Sequence, residues 1–201
     1  MGGSAIGIIK NKLSLVTDKK LKSGDRIILI KSSGINANGI SLARAVAKKL
    51  KNGYGTKLKD GSIYGEAILR KTNIYAKLVG ELLSEKIDIH YISNITGHGL
   101  RKIMRARGAF TYVIEKVFEP QEVFNFIQKE AGLKDVEMYD TYNMGQDYAI
   151  FIDIKNVKKA LAIIKRNKFE GIDAGYVKKG PRQVIIKPKN IVFTAESLDL
   201  R

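Results

Sequence analysis

Three short stretches hold most of the residues that could do chemistry. The first is Asn94-Ile95-Thr96-Gly97-His98-Gly99-Leu100-Arg101-Lys102. It follows an apolar strand-like run over residues 87–92 and leads into a short helical pattern from Leu100 to Arg105. Two glycines flanking one residue, between a strand and a helix, let backbone N–H groups converge on an anion. The same two glycines also make a tight strand-to-helix turn, and one glycine turn alone is weak evidence for a ligand. The second stretch, Ser32-Ser33-Gly34-Ile35-Asn36-Ala37-Asn38-Gly39, repeats the arrangement after the β-branched run 26–31 and before an Ala- and Lys-rich segment. There Asn38 or Ser41 is placed to cap the following helix. The third, Met138-Tyr139-Asp140-Thr141-Tyr142-Asn143-Met144-Gly145, offers Thr141, Asn143 and Gly145.

Other chemistries find little support. Glu137, Asp140 and Asp147 fall close together but read as solvated loop charges, and no metal site is expected. Neither glycine loop continues into Gly-Lys-Ser/Thr, so the P-loop pattern is absent. No serine sits in a nucleophile elbow. The chain has no cysteine, which removes disulfides, thiolate metal sites and cysteine nucleophiles. Its two histidines, His90 and His98, are not at metal-ligand spacing. His90 lies inside a strand pattern and reads as half-buried or surface; His98, between two glycines, is the better candidate. No catalytic group is identified, and the chain reads as part of a site.

The elements that must position these loops alternate. Strands are expected at 5–9, 12–16, 26–31, 87–92, 110–115, 148–154, 171–177, 183–187 and 191–193. Helices are expected at 40–50, 66–85, 100–107, from Pro120 to about Ala131, and at 156–167. In the longest, Ile68, Ile74, Tyr75, Leu78, Val79 and Leu82 form an apolar stripe. Residues 51–65 and 133–145 read as irregular. This is an α/β (α+β) pattern, a mixed β-sheet with packed helices; the closing β hairpin argues against an all-parallel sheet.

With 201 residues, the length suits one main domain. No run is long enough to span a bilayer, and Met1-Gly2-Gly3-Ser4 opens no secretory signal, so a cytoplasmic protein with no membrane partner is expected. The 36 Lys and Arg against 20 Asp and Glu give a net charge of +16. The cations are scattered and do not interleave with aromatics as a stacking platform would. A lysine-rich solvated surface is the better reading, and nucleic acid is not expected as the partner.

Several stretches together resemble one family. Gly24-Asp25-Arg26-Ile27-Ile28 with Ser32 to Leu42, then Thr72-Asn73-Ile74-Tyr75-Ala76-Lys77, Thr96 to Leu100, and Met138 to Gly145 follow in the order and at the spacing of the C-terminal domain of aminoimidazole ribonucleotide (AIR) synthetase, or phosphoribosylformylglycinamidine cyclo-ligase. The resemblance implies an AIR synthase C-terminal domain-like fold over 23–201, with 1–22 as a remnant of, or link to, an N-terminal ATP-binding domain. It implies ATP and Mg²⁺, held mainly by that other domain. It implies formylglycinamidine ribonucleotide or a similar phosphate-bearing substrate, and it leaves a homodimer open. The activity implied is phosphorylation of an amide oxygen, followed by attack of a nitrogen of the same substrate that closes an imidazole ring. Ser33, Asn38, Gly39, Thr96, Gly97, His98, Gly99, Thr141, Asn143 and Gly145 are then the expected substrate- or phosphate-binding residues. Thr96 and Asn143 would supply hydrogen bonds, and the glycines would admit backbone N–H groups.

The chain departs from the family's usual pattern at several points. Asn36 and Ala37 replace His and Ser, and His98 interrupts three glycines. Arg101-Lys102 replaces Glu-Asn, Asp140 replaces Arg, Lys71 replaces a proline, and Asp147 stands about where the family has Gly or a small residue. Selenophosphate synthetase, thiamine-monophosphate kinase and a hydrogenase maturation protein share the architecture, but none matches Asn143-Met144-Gly145 as well.

Overall fold

The computed structural model describes residues 4, 6–9 and 15–198. Its centre is one seven-stranded sheet formed by β1 (Arg26–Lys31), β2 (Ile89–Asn94), β3 (Phe110–Ile114), β4 (Gln146–Ile152), β5 (Gly171–Lys179), β6 (Gln183–Ile186) and β7 (Ile191–Thr194). The order is β2-β4-β1-β5-β3-β6-β7. All neighbours are antiparallel except β3 and β6, which run parallel. The sheet is therefore mixed, as the alternating pattern predicts.

Helices α1 (Ile40–Lys49), α2 (Tyr64–Ile68), α3 (Ala76–Ser84), α4 (Glu122–Ala131), α5 (Asp135–Thr141) and α6 (Val157–Arg166) cover both faces. Ile27 and Leu29 of β1 pack into one layer with Val46, Ile68, Phe124 and Tyr139. Ile28 and Ile30 pack into the other with Leu78, Leu82, Ile163 and Ile164. A strand buried on both faces has no reason to alternate, which explains the unbroken apolar run. Each of these fully buried Ile and Leu side chains contributes about 1.5–3 kcal/mol relative to exposure.

Several expectations need correction. The helix expected at 66–85 is two helices, α2 and α3, parted by a loop over 69–75. The Ser33 hydroxyl donates to the Lys71 carbonyl at 2.8 Å, and Asn73 Nδ2 donates to the Tyr75 hydroxyl at 3.1 Å. The Ser33 bond takes up a backbone carbonyl that a continuing helix would use. Ile74, expected in the core stripe, is 72 % exposed. The stretch 133–145, expected to be irregular, contains α5. Lys134 N–H donates to the Glu137 carboxylate at 2.8 Å, and Asp135 and Glu137 sit in the first turn, where the helix dipole favours them.

The helix expected at 100–107 is a 3₁₀ helix, Gly99–Arg105. Strand β4 begins at Gln146, two residues earlier than expected, which moves Asp147 from a loop into the sheet. Of the strands expected at 5–9 and 12–16, residues 5 and 12–14 lie outside the described residues; 6–9 and 15–16 form no strand, and Ile6 and Ile8 are exposed. Among the described residues, no helix is long and apolar enough to cross a membrane.

Candidate functional site

Both β1 and β2 run antiparallel to β4. The C-terminal ends of β1 and β2 therefore lie beside the N-terminal end of β4, with Lys31 opposite Gln146 and Asn94 opposite Tyr148. This brings together the loop after β1, the loop after β2 and the turn before β4. Ser32 N–H donates to the Gly145 carbonyl at 2.9 Å, and Ile95 N–H donates to the Asp147 carbonyl at 2.9 Å. Asn38 links the two glycine loops: its Oδ1 accepts from Gly97 N–H at 2.6 Å. Asn38 is thus not the cap of α1. The N-cap is Gly39, without a side-chain bond, and Ser41 is exposed on the helix.

Asp147 is the buried acid of this end of the sheet and not a solvated loop charge. It is 1 % exposed. Asn36 Nδ2 donates to its Oδ1 at 2.6 Å, and the Tyr75 hydroxyl donates to its Oδ2 at 2.5 Å. Burial pushes the Asp147 carboxyl above the usual range, while the bonds from Tyr75, Asn36 and Asn73 pull it back. Burial, and then the hydrogen bond and charge of Asp147, raise the Tyr75 phenol strongly. Asn36 holds a left-handed φ of 55°, which Asn tolerates better than most residues. Sequence reasoning missed Asp147 as a member of the site because its loop-like neighbours hid the start of β4.

The glycines serve close packing first. Gly39 has φ 58°, a Cβ there would collide with the Tyr142 ring, and the Tyr142 hydroxyl donates to the Gly39 carbonyl at 2.8 Å. Gly99 has φ 50°, and a Cβ there would collide with the Tyr139 carbonyl at the end of α5. Three of the expected glycines have their own amides engaged within the chain. Gly97 N–H is held by Asn38, Gly99 N–H donates to the Thr96 carbonyl at 2.8 Å, and Gly145 N–H donates to Asn143 Oδ1 at 3.0 Å. Asn143 is fully buried, and its Nδ2 donates to the Gly34 carbonyl at 2.9 Å. Both ends of its amide are spent inside the chain, so it ties the turn before β4 to the loop after β1. Ser33 is spent on Lys71, as described, and Thr141 closes α5, partly exposed.

One side of the loops is cationic. Arg101 is buried; its Nη2 meets Asp140 Oδ1 at 2.5 Å, its Nη1 donates to the Ser197 carbonyl, and its guanidinium lies 5.5 Å from the Phe193 ring centroid. Lys102 is half-buried, and its amine donates to the Thr96 hydroxyl. His98 is exposed at φ 78°. Partial burial, then Arg101, Arg105 and Lys102, lower its pKa, against a smaller opposing effect of Asp140. Burial and Arg105 lower Lys102.

His90 is elsewhere and is buried, not half-buried. Its Nδ1 lies 2.8 Å from Asp25 Oδ2 and its Nε2 3.3 Å from Asp88 Oδ2, near the starts of β1 and β2. Among the described residues, no three His, Asp or Glu side chains are grouped to hold a metal ion.

A seven-stranded mixed sheet, helices on both faces and three loops gathered at one end define an α/β domain. Residues 22–187 match the model of the AIR synthase related protein, C-terminal domain family, and the chain belongs to that family. The phosphoribosylformylglycinamidine cyclo-ligase of Methanocaldococcus jannaschii is 35% identical over 83% of this chain and 48% of its own length. That of Clostridium perfringens is 32% identical over 93% of this chain and 55% of its own length. The chain thus spans about half the length of the curated relatives it matches. Among solved structures, the E. coli hydrogenase maturation protein HypE aligns with a TM-score of 0.57 at 14% identity, over 90% of this chain and 52% of that one. Thermotoga maritima PurL complexed with FGAR aligns with 0.57 at 12% identity, over 92% and 29%. These last two likenesses concern the fold.

Proposed function

We propose that this chain is the C-terminal half of an ATP-dependent phosphoribosylformylglycinamidine cyclo-ligase of purine biosynthesis, acting in the cytoplasm and forming one wall of the substrate and ATP cleft. The observation that carries this reading is convergence. The stretches 33–42, 96–99 and 141–145, which bear the resemblance, meet at one end of the sheet. ATP and Mg²⁺ are bound mainly by an N-terminal domain of the kind that fills the other half of the relatives' length, and the present chain alone is inactive.

In this reaction an amide oxygen becomes a leaving group once it is phosphorylated. A nitrogen of the same molecule then attacks the amide carbon, and phosphate departs. Ring closure gains from a cleft that holds both ends of the substrate in reach and excludes water. The buried Asn36–Asp147–Tyr75 network and the Asn38–Gly97 bond keep the two loops in fixed relation, which is the preorganisation such a wall needs.

Co-expression with the N-terminal domain of a relative should restore ATP-dependent formation of the imidazole ring, measured by product absorbance and phosphate release. A well-folded pair that binds ATP but never turns over would remove this reading. The charge of +16 favours a second reading, a nucleotide- or RNA-binding module without catalysis, or a relative acting on another phosphate-bearing substrate. Tight, steeply salt-dependent RNA binding would support the RNA form of it.

A further inference from the structure

The cations beside the Gly97–Gly99 loop are poorly matched. Arg101 has Asp140, and Arg107 has Asp18. Among the described residues, Lys102 and Arg105 have no carboxylate within ion-pair distance. Lys102 is the costlier of the two, because its amine is half-buried and bonds only a neutral hydroxyl, that of Thr96. A partly desolvated ammonium without a counter-charge is unfavourable, and an anion beside it removes the cost.

The 3₁₀ geometry of Gly99–Arg105 adds direction. Three residues per turn place Lys102 and Arg105, three apart, on the same face. Arg182 pins the far end of this segment through Nε to the Met104 carbonyl at 2.6 Å and Nη2 to the Ala106 carbonyl at 2.7 Å. The two cations therefore stand on a fixed support. At the near end His98 is exposed, its ring within the field of the same cations. Since the glycine amides of this loop are spent inside the chain, charge recognition here falls to side chains.

We infer that Lys102, Arg105 and His98 form a binding site for a phosphoryl group, either a phosphate monoester or the phosphate chain of a polyphosphate. The inference deepens the proposed function and rests on the loops being a ligand wall. Lys102 supplies a point charge, Arg105 a fork that can hold two oxygens, and His98 a further donor when protonated. Asp140 and Arg101, which also face His98, are already paired with each other.

The test uses the 201-residue chain with two probes, ribose 5-phosphate and tripolyphosphate, by calorimetry at low and moderate salt. His98 is followed by NMR in parallel. A bound dianion offsets the cations around His98, so its titration midpoint should move upward. Lys102→Met and Arg105→Met should each weaken binding about tenfold or more, and Lys102→Arg should retain it. Lys48→Met and Lys49→Met on α1 should change it less than twofold. The probe bound more tightly identifies the source of the phosphoryl group. Arg105 is exposed, so its variant stays informative if Lys102→Met folds poorly.

No binding of either probe, an unmoved His98 midpoint, or equal losses in the α1 variants would overturn the site. Binding confined to long RNA, with equal losses across all lysine variants, would also overturn it. A reconstituted enzyme that closes the ring with unchanged KM in Arg105→Met and Lys102→Met would remove the site and leave the proposed activity standing. Phosphate binding by the lone chain, with no ring closure after reconstitution, would do the reverse.

Discussion

Arg101 and Asp140 form an ion pair across the site, Nη2 to Oδ1 at 2.5 Å, joining the 3₁₀ segment after β2 to helix α5. Both positions are among those where the chain departs from the pattern of the family it resembles, and the two departures meet in space. The guanidinium side is 8 % exposed and the carboxylate side 45 %. Arg101 also donates to the Asp140 carbonyl at 3.0 Å and to the Ser197 carbonyl. The pair therefore fixes the backbone behind His98, and one altered residue makes sense of the other.

The pair should show coupling in a double-mutant cycle. Asp140→Asn should cost about 1–3 kcal/mol, because a buried guanidinium loses its counter-charge. Arg101→Met should cost a similar amount, since it also loses the backbone carbonyl bonds. The double variant should cost less than the sum by about 1 kcal/mol or more, measured by urea unfolding. Additive costs would show that the pair is not an energetic unit.

The glycines of the loop should behave unequally. Gly99→Ala forces a Cβ into the Tyr139 carbonyl at a left-handed φ of 50°. A loss of about 3 kcal/mol or more, or failure to fold, is expected. Gly97→Ala meets only Asn38 Oδ1 at an ordinary 3.6 Å and should cost about 1 kcal/mol or less. Thermal unfolding of the two variants decides the point; equal effects would contradict the geometry.

The sheet was legible because its strands are short apolar runs divided by turn formers, and β1 in particular reads as a buried strand at 26–31. Helix α5 was not, because its boundaries rest on Lys134, Asp135 and Glu137, while Met138 and Tyr139 are too few to show a period. The break at 69–75 was hidden for a different reason. Its apolar residues continue the helical stripe, and the backbone carbonyl of Lys71 is taken by Ser33, a residue 38 positions away. The site residues divide in the same way. Asn38 and the glycine loops were visible as local patterns, whereas their partners, Gly97 for Asn38 and Tyr142 for Gly39, are tertiary facts. Asn143 drew attention as a hydrogen-bonding residue, but its bonds go to Gly34 and Gly145.

Asp147 should leave a pH signature on stability. Its folded carboxyl is raised by burial, against the opposing bonds from Tyr75, Asn36 and Asn73. An unfolded Asp titrates near about 4. From that pH upward, the unfolded chain has lost its proton while the folded carboxyl still holds one. The folded state then binds more protons, and by linkage stability falls as pH rises, until the folded carboxyl has ionised as well. Asp147→Asn removes the titration but keeps a side chain of the same shape. The stability of the parent chain minus that of the variant, from urea unfolding at a series of pH values, should therefore decline from about pH 4 upward and then level. The variant should also retain the Tyr75 contact, because an amide can accept from the phenol through its oxygen. A difference that stays flat would mean that the Asn36 and Tyr75 bonds fully offset the desolvation. A difference that grows with pH would mean that they outweigh it, and Asp147 would then be a stabilising anion instead of a strained one.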